Sequence, residues 1–152
     1  MTITFKAVEK PDPDMIDYIL GIERAAFGSG ALSEHVVIPL MRHGRIYIAA
    51  DEDDEPIASS YFIRDMTDPR VAYLLSVAVL PAFSGYDIGV ALLEYAFSDI
   101  SELGIETIQL TVDPANFKAL STYREKLGFT LVEGSFDEYG TGDDRLAMIK
   151  EL

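Results

Sequence analysis

The chain has 152 residues, enough for one domain spanning 1–152 with a single core, and its 12 basic and 26 acidic side chains leave a net charge of −14. That balance argues against a nucleic-acid partner, which needs a basic footprint; it would draw cationic partners such as amines, lysine-rich proteins and basic peptides, or serve only solubility or a salty host. The lack of cysteine removes disulfides, thiolate metal sites and a cysteine acyl-enzyme and fits a reducing, cytoplasmic compartment, while no apolar run is long enough to cross a bilayer and no signal-peptide pattern opens the chain.

Ile3, Phe5 and Ala7 alternate with polar residues and predict a first strand, ended by Pro11 and Pro13. Asp14 is the expected N-cap of an amphipathic helix through Met15, Ile16, Tyr18, Ile19, Ile22 and Ala26, which Gly28-Ser29-Gly30 breaks. A second helix is expected from a Ser33 cap through Val36, Val37, Leu40 and Met41, with Pro39 limiting or kinking it. His35 and His43 fall here, as surface or core histidines or as substrate contacts. Arg45–Ala50 and Ile57–Ile63 read as two strands joined by the acidic run Asp51–Glu55. That run is not a calcium loop: counted from Asp51, the sixth position is Pro56 and the twelfth is Phe62, where an EF-hand needs Gly and Glu. It reads as a solvated hairpin turn, and no metal site is expected.

Asp68-Pro69 turns the chain into Val71–Leu80, apolar on both faces as a central strand should be, with Ser76 its one polar interruption. Pro81 stops it. A short loop with Gly85 and Gly89 follows, then Ile88, Ala91, Leu92, Tyr95, Ala96, Ile100 and Leu103 recur at helical spacing. The first turn of such a helix presents bare N–H groups and a dipole that favours anions, and the glycines permit positive φ and close approach of a ligand. Leu103-Gly104 stops the helix, Ile108, Leu110 and Val112 alternate as a strand, and Asn116–Lys126 reads as a helix closed by Gly128. Phe129–Phe136 and Arg145–Ile149 are strands flanking a turn at Tyr139–Asp144.

The run from Val77 to Leu93, VAVLPAFSGYDIGVALL, resembles the acyl-CoA-binding signature of the GNAT superfamily of N-acetyltransferases, whose loop reads Gln/Arg-x-x-Gly-x-Gly/Ala. Asn116-x-x-Ala119-x-x-x-Tyr123 followed by Leu127-Gly128-Phe129 supports it, and the tail Tyr139–Met148 is similar to the final hairpin of the branch that acetylates protein N-termini and lysine side chains. The resemblance is specific over about residues 75–139. Three departures stand out. Ser84 replaces Arg or Gln, Asp87 replaces Gly, and Tyr123 lies five positions before Gly128 where four is usual.

The resemblance implies an α+β fold: a mixed, mostly antiparallel sheet of six to seven strands with about four helices on its faces. It implies acetyl-CoA as co-substrate. The N–H groups of Gly85, Tyr86, Asp87, Ile88 and Gly89 would cradle the pyrophosphate, with Ser84 adding a hydroxyl. Val77, Ala78 and Val79 would pair with the pantetheine arm, and the Val79 amide would face the thioester carbonyl. Asn116 would hydrogen-bond the pantetheine, and Tyr123 would protonate the leaving thiolate. The first helical pair would line the acceptor site. Glu34, His35, Tyr73 and Ser76 are the candidates for a base acting through water. The acceptor would be a small amine or a basic protein or peptide, and a homodimer is left open. A non-catalytic binding module on the same scaffold is the competing reading, favoured by Ser84 and Asp87. No Walker loop, nucleophile elbow or HExxH is present, and the early order lacks the βαβ units of a Rossmann fold.

Overall fold

The structure, a computed structural model, describes residues 2–136 and 145–152. The turn expected at Tyr139–Asp144, and with it the front of the Tyr139–Met148 tail, lies outside the described residues. The fold is mixed α+β, in the order β1 (Thr4–Ala7), α1 (Pro13–Phe27), α2 (Glu34–His43), β2 (Arg45–Ala50), β3 (Pro56–Arg64), β4 (Val71–Val79), α3 (Ile88–Ser101), β5 (Thr107–Val112), α4 (Phe117–Ser121), β6 (Thr130–Phe136) and β7 (Arg145–Glu151). Short 3-10 turns at Gly28–Gly30 and Pro81–Tyr86 precede α2 and α3, and a π-helical turn, Thr122–Lys126, extends α4. Hydrogen-bonded strands follow the order β1-β2-β3-β4-β5-β7-β6. The β4–β5 pair is parallel, whereas β1–β2, β2–β3, β5–β7 and β6–β7 are antiparallel.

The chain divides into two compact units: Met1–Ile63 with Leu74–Asp99, and Arg64–Tyr73 with Ile100–Leu152. In the first, α1 and α2 bury Ile19, Val37, Leu40 and Met41 with Ile46, Ile48 and Tyr61 of β2 and β3. Tyr47 and Phe62 meet edge to face, Phe62 packs likewise on Phe97 of α3, and Phe5 stacks on Tyr95. Alternating residues of β2 and β3 thus serve different helices, the outcome expected of strands covered on both faces. Tyr47 and Arg45 both reach Asp99 of α3, at 2.5 and 2.9 Å. In the second unit Ile105, Ile108, Leu110, Val112, Leu127, Phe129 and Met148 are buried. Among the described residues no helix is long and apolar enough to cross a membrane.

Several local expectations shift. The N-cap of α1 is Asp12, whose side chain accepts from the Asp14 amide at 2.9 Å, because Pro13 suits the first helical position. Ser33 sits at the N-cap of α2 without making a side-chain bond, and Pro39 lies inside that helix without ending it. The apolar stripe of α3 includes Leu93 and Phe97, whereas Tyr95 is 38% and Leu103 43% exposed. The acidic hairpin turn closes on itself: Asp51 Oδ1 accepts from the amides of Asp53 and Glu55, an Asx-type turn.

Gly44 ends α2 where no side chain fits. A Cβ there would stand 2.6 Å from the Phe62 carbonyl oxygen and 2.9 Å from Leu40 Cδ2. Gly44→Ala should therefore destabilise the fold by about 2–3 kcal/mol, seen as a lower urea midpoint at unchanged denaturant slope.

Candidate active site

Residues Val77, Ala78 and Val79 end β4. The parallel register with β5 joins Val71–Tyr73 to Thr107–Gln109 and stops there, so Val77–Val79 are not among its partners. After Leu80, whose amide donates to the Ile57 carbonyl at 2.9 Å, the Pro81–Tyr86 turn carries Ser84, Gly85 and Tyr86 to the surface. The residue with a left-handed backbone is Asp87, at φ 53°. Neither Gly85 nor Gly89 has positive φ, which corrects the sequence expectation. Asp tolerates this region better than most residues but less well than Gly, so the position where the resemblance expects Gly does need left-handed backbone. A Cβ at Gly89 would make only an ordinary contact, 3.4 Å from Val79 Cγ2, so neither φ nor packing within the protein demands glycine there.

The first helical bond of α3 runs from the Ala91 amide to the Asp87 carbonyl at 3.1 Å. The amides of Ile88, Gly89 and Val90 precede it, so they have no partner within the helix and present a dipole end that favours anions. This loop and helix start therefore fit a diphosphate. Ser84 fits less well as it stands, because its hydroxyl donates to the Pro81 carbonyl at 2.9 Å.

In the second unit Asn116 caps α4, its side-chain oxygen accepting from the Ala119 amide at 3.1 Å. That leaves the side-chain NH₂ without a partner among the described residues. Tyr123 lies in the π-helical turn, its ring edge-on to Phe129 with centroids 5.5 Å apart. The five-residue spacing from Tyr123 to Gly128 finds its physical form here, because a π-turn inserts one residue into an α-helix. The closure agrees: the Phe129 amide donates to the Tyr123 carbonyl at 2.9 Å across Gly128 at φ 75°, one residue longer than the usual glycine-closed helix end. Lys150 Nζ donates to the Leu127 carbonyl at 2.7 Å.

Burial, helped by the nearby Tyr73 phenol, pushes the Tyr123 hydroxyl up to about 12; that hydroxyl makes no hydrogen bond among the described residues. Tyr73 itself shares a 3.1 Å hydrogen bond with Thr111 Oγ1, to which Arg145 Nε also donates. A cavity of about 310 Å³ opens among Tyr73, Gln109, Thr111, Val132, Ala147 and Ile149.

Of the base candidates, Glu34 and His35 are exposed in the first turn of α2, as His43 is at its end. Ser76 leads to a residue that sequence reasoning passed over. Its hydroxyl donates to Oε2 of Glu23 at 3.3 Å, while Oε1 of Glu23 accepts from the Leu32 amide at 2.9 Å. Glu23 is only 1% exposed. Burial, partly offset by bonds from Leu32, Ser76 and the Tyr61 hydroxyl, raises its carboxyl above its ordinary value. The signal available in the sequence was a carboxylate directly after Ile22 on the buried stripe of α1. Among the described residues no group of three histidine or carboxylate side chains is placed to hold a metal.

A family model described as the acetyltransferase (GNAT) family matches residues 16–129. No curated protein matches the chain by sequence. Among solved structures, the ribosomal-protein-S18-alanine N-acetyltransferase from Escherichia coli is 21% identical over 99% of this chain and 94% of its own, with a TM-score of 0.81. The NatC complex bound to Gag peptide and CoA gives 23% over 100% and 99%, with a TM-score of 0.83. PaiA N-acetyltransferase from Thermoplasma acidophilum in complex with coenzyme A gives 19% over 100% of both chains, with a TM-score of 0.73. At these identities the likeness establishes the fold.

The surroundings of Tyr123 generate a direct test. In tyrosine-labelled carbon NMR, the ring resonance that disappears in Tyr123→Phe should show no ionisation shift between about pH 8 and pH 11, a range in which an unperturbed phenol with a pKa of about 10 would titrate.

Proposed function

Because the chain belongs to the GNAT acetyltransferase family, we propose that it acts as one domain that transfers an acetyl group from acetyl-CoA directly to a primary amine. The observation that carries this reading is the succession of Val77–Val79, a left-handed Asp87 and the three amides that open α3 without a partner inside the helix. On this reading Gly85, Tyr86, Asp87, Ile88 and Gly89 hold the diphosphate through their backbone. Val77 and Ala78 pair with the pantetheine arm, and the Val79 amide meets the thioester oxygen. A donor aimed at a developing oxyanion contributes about 3–4 kcal/mol in other enzymes. Asn116 has an NH₂ to offer the pantetheine, and Ser84 contributes once its hydroxyl turns from Pro81.

Tyr123 is the proton donor to the departing sulfur. Its raised pKa of about 12 keeps it protonated throughout the working range, although transfer to a thiolate of pKa about 8.5 in water is then uphill. Release of a sulfur anion into the same water-poor surroundings raises that partner too and narrows the gap.

The acceptor we favour is the amine of a basic protein or peptide, with polyamines second. The net charge of −14 attracts cations, and a groove of about 760 Å³ along α1 has Asp14, Asp17 and Tyr18 in its wall. Two of the similar structures are named for a protein or peptide partner. Binding without catalysis is the second reading, favoured by the Asp87 carboxylate in the loop and by the Ser84 hydroxyl turned onto Pro81.

Tyr123→Phe should lower kcat about 100-fold or more with the Kd for acetyl-CoA within twofold of the parent; unchanged turnover would remove Tyr123 from the reaction. Wild-type turnover should show no alkaline fall below about pH 11, because the acid has not yet lost its proton there. Asp87→Gly should tighten acetyl-CoA binding in calorimetry by about 3- to 10-fold, as a carboxylate next to the diphosphate is removed. No heat with acetyl-CoA at millimolar concentration would reject the acetyl-transfer reading and leave the partner-binding one.

A further inference from the structure

The acetyl-transfer reading names an acid but no base. Glu23 has a chemistry that reading leaves unused. It is 1% exposed, and no cation pairs with it among the described residues. The groups that face it are neutral: the Leu32 amide from the segment before α2, Ser76 from β4 and the Tyr61 phenol from β3. The buried residues of α2 are Val37, Leu40 and Met41, which cannot titrate. Its neighbour Arg24 on α1 is exposed. A buried carboxylate without a cation is costly, and a glutamine would accept the Leu32 bond equally well. An ionisable group held here without a counter-ion among the described residues points to a use for its proton.

Three donors reach Glu23, and only one can relay a proton to the outside. The Leu32 amide cannot exchange its proton on this timescale. Tyr61 is fully buried, with its hydroxyl also 2.5 Å from buried Ser59 Oγ. Ser76 is partly exposed and directly precedes Val77, the first residue assigned to the pantetheine arm. We propose that Glu23, acting through the Ser76 hydroxyl, takes the proton that the acceptor ammonium must lose before it attacks the thioester. This rests on the acetyl-transfer reading above.

The ammonium passes one proton to Ser76 Oγ as the Ser76 proton moves to Glu23 Oε2, giving a neutral carboxylic acid and a neutral amine. The amine lone pair forms the C–N bond, and the C–S bond breaks with its electron pair on sulfur. Tyr123 protonates the sulfur and recovers its proton from the second N–H of the attacking nitrogen. Glu23 then returns its proton to solvent through Ser76. The net products are the amide, free CoA and one proton. Burial raises the carboxyl's affinity for a proton, which makes its ionised form a stronger base than a solvated glutamate.

The test uses the full chain with saturating acetyl-CoA and, as acceptors, a lysine-rich peptide with a free N-terminus and spermidine, with thiol release followed from pH 5 to 10. Glu23→Gln keeps the Leu32 bond and the packing. It should melt within a few degrees of the parent, bind acetyl-CoA within twofold, and lose at least about 100-fold in kcat. Its kcat/KM profile should lose the acidic limb that the parent shows. Ser76→Ala should fall similarly, and Ser76→Thr, which keeps the hydroxyl, should recover most of the rate. An active parent with Glu23→Gln within threefold of it, or with the acidic limb intact, would overturn the proposal alone. A Ser76→Ala rate within threefold of the parent would overturn the relay. A parent that binds no acetyl-CoA and releases no thiol would overturn the acetyl-transfer reading and this proposal with it.

Discussion

A backbone amide left without a partner must find one in water or in a ligand, and the start of α3 offers three such amides just beyond the end of β4. The β4–β5 register stops at Tyr73, and the first helical bond of α3 begins only at Ala91. Between those limits lie Val77–Val79 and the three opening amides of α3. The backbone part of the cofactor proposal follows from that interval: an extended segment suited to pairing with another extended chain, then a helix start suited to negative charge. The side chains there do comparatively little. Ile88 is buried beneath the helix start, so its side chain serves packing and leaves the backbone amides as the groups that a ligand could use.

Much of this was legible beforehand because period and punctuation report on backbone. Alternation at Ile3, Phe5 and Ala7, the apolar run into Pro81 and the helical spacing after Ile88 place their elements where the structure has them. The count of residues from Tyr123 to Gly128 even anticipates a local irregularity, which the structure resolves as a π-turn. Side-chain partners were less legible. Asp12 and Asp14 are equally good caps on paper, and only Pro13 in the first turn decides between them. The engagement of Ser84 with Pro81 depends on a 3-10 turn that the glycines did not suggest. Glu23 was passed over because its partners, Ser76 and Tyr61, lie 53 and 38 residues further along the chain, beyond the reach of any local pattern.

The two titratable groups that the surroundings bias most tellingly are biased the same way. Burial favours the proton on both the Tyr123 phenol and the Glu23 carboxyl. For a donor that bias is a reserve, held through the whole physiological range. For an acceptor it is a threshold, because the carboxylate must first be emptied. For stability the sign is also fixed: Glu23 binds its proton more tightly when folded, so its contribution falls as pH rises from the unfolded value of about 4.5 toward the folded one. The acidic surface is a separate matter. Most of its carboxylates are exposed, where salt screens them.

The wide turn at Thr122–Lys126 has an implication for ancestry. An added residue in an ordinary helix would rotate everything beyond it by about 100° and pull Leu127 and Phe129, both buried, out of register. Absorbing the insertion as a single loosened turn confines its cost to five residues and spares the hydrophobic anchor downstream. An indel can thus pass through this helix while the aromatic hydroxyl and the anchor evolve as separately adjustable parts.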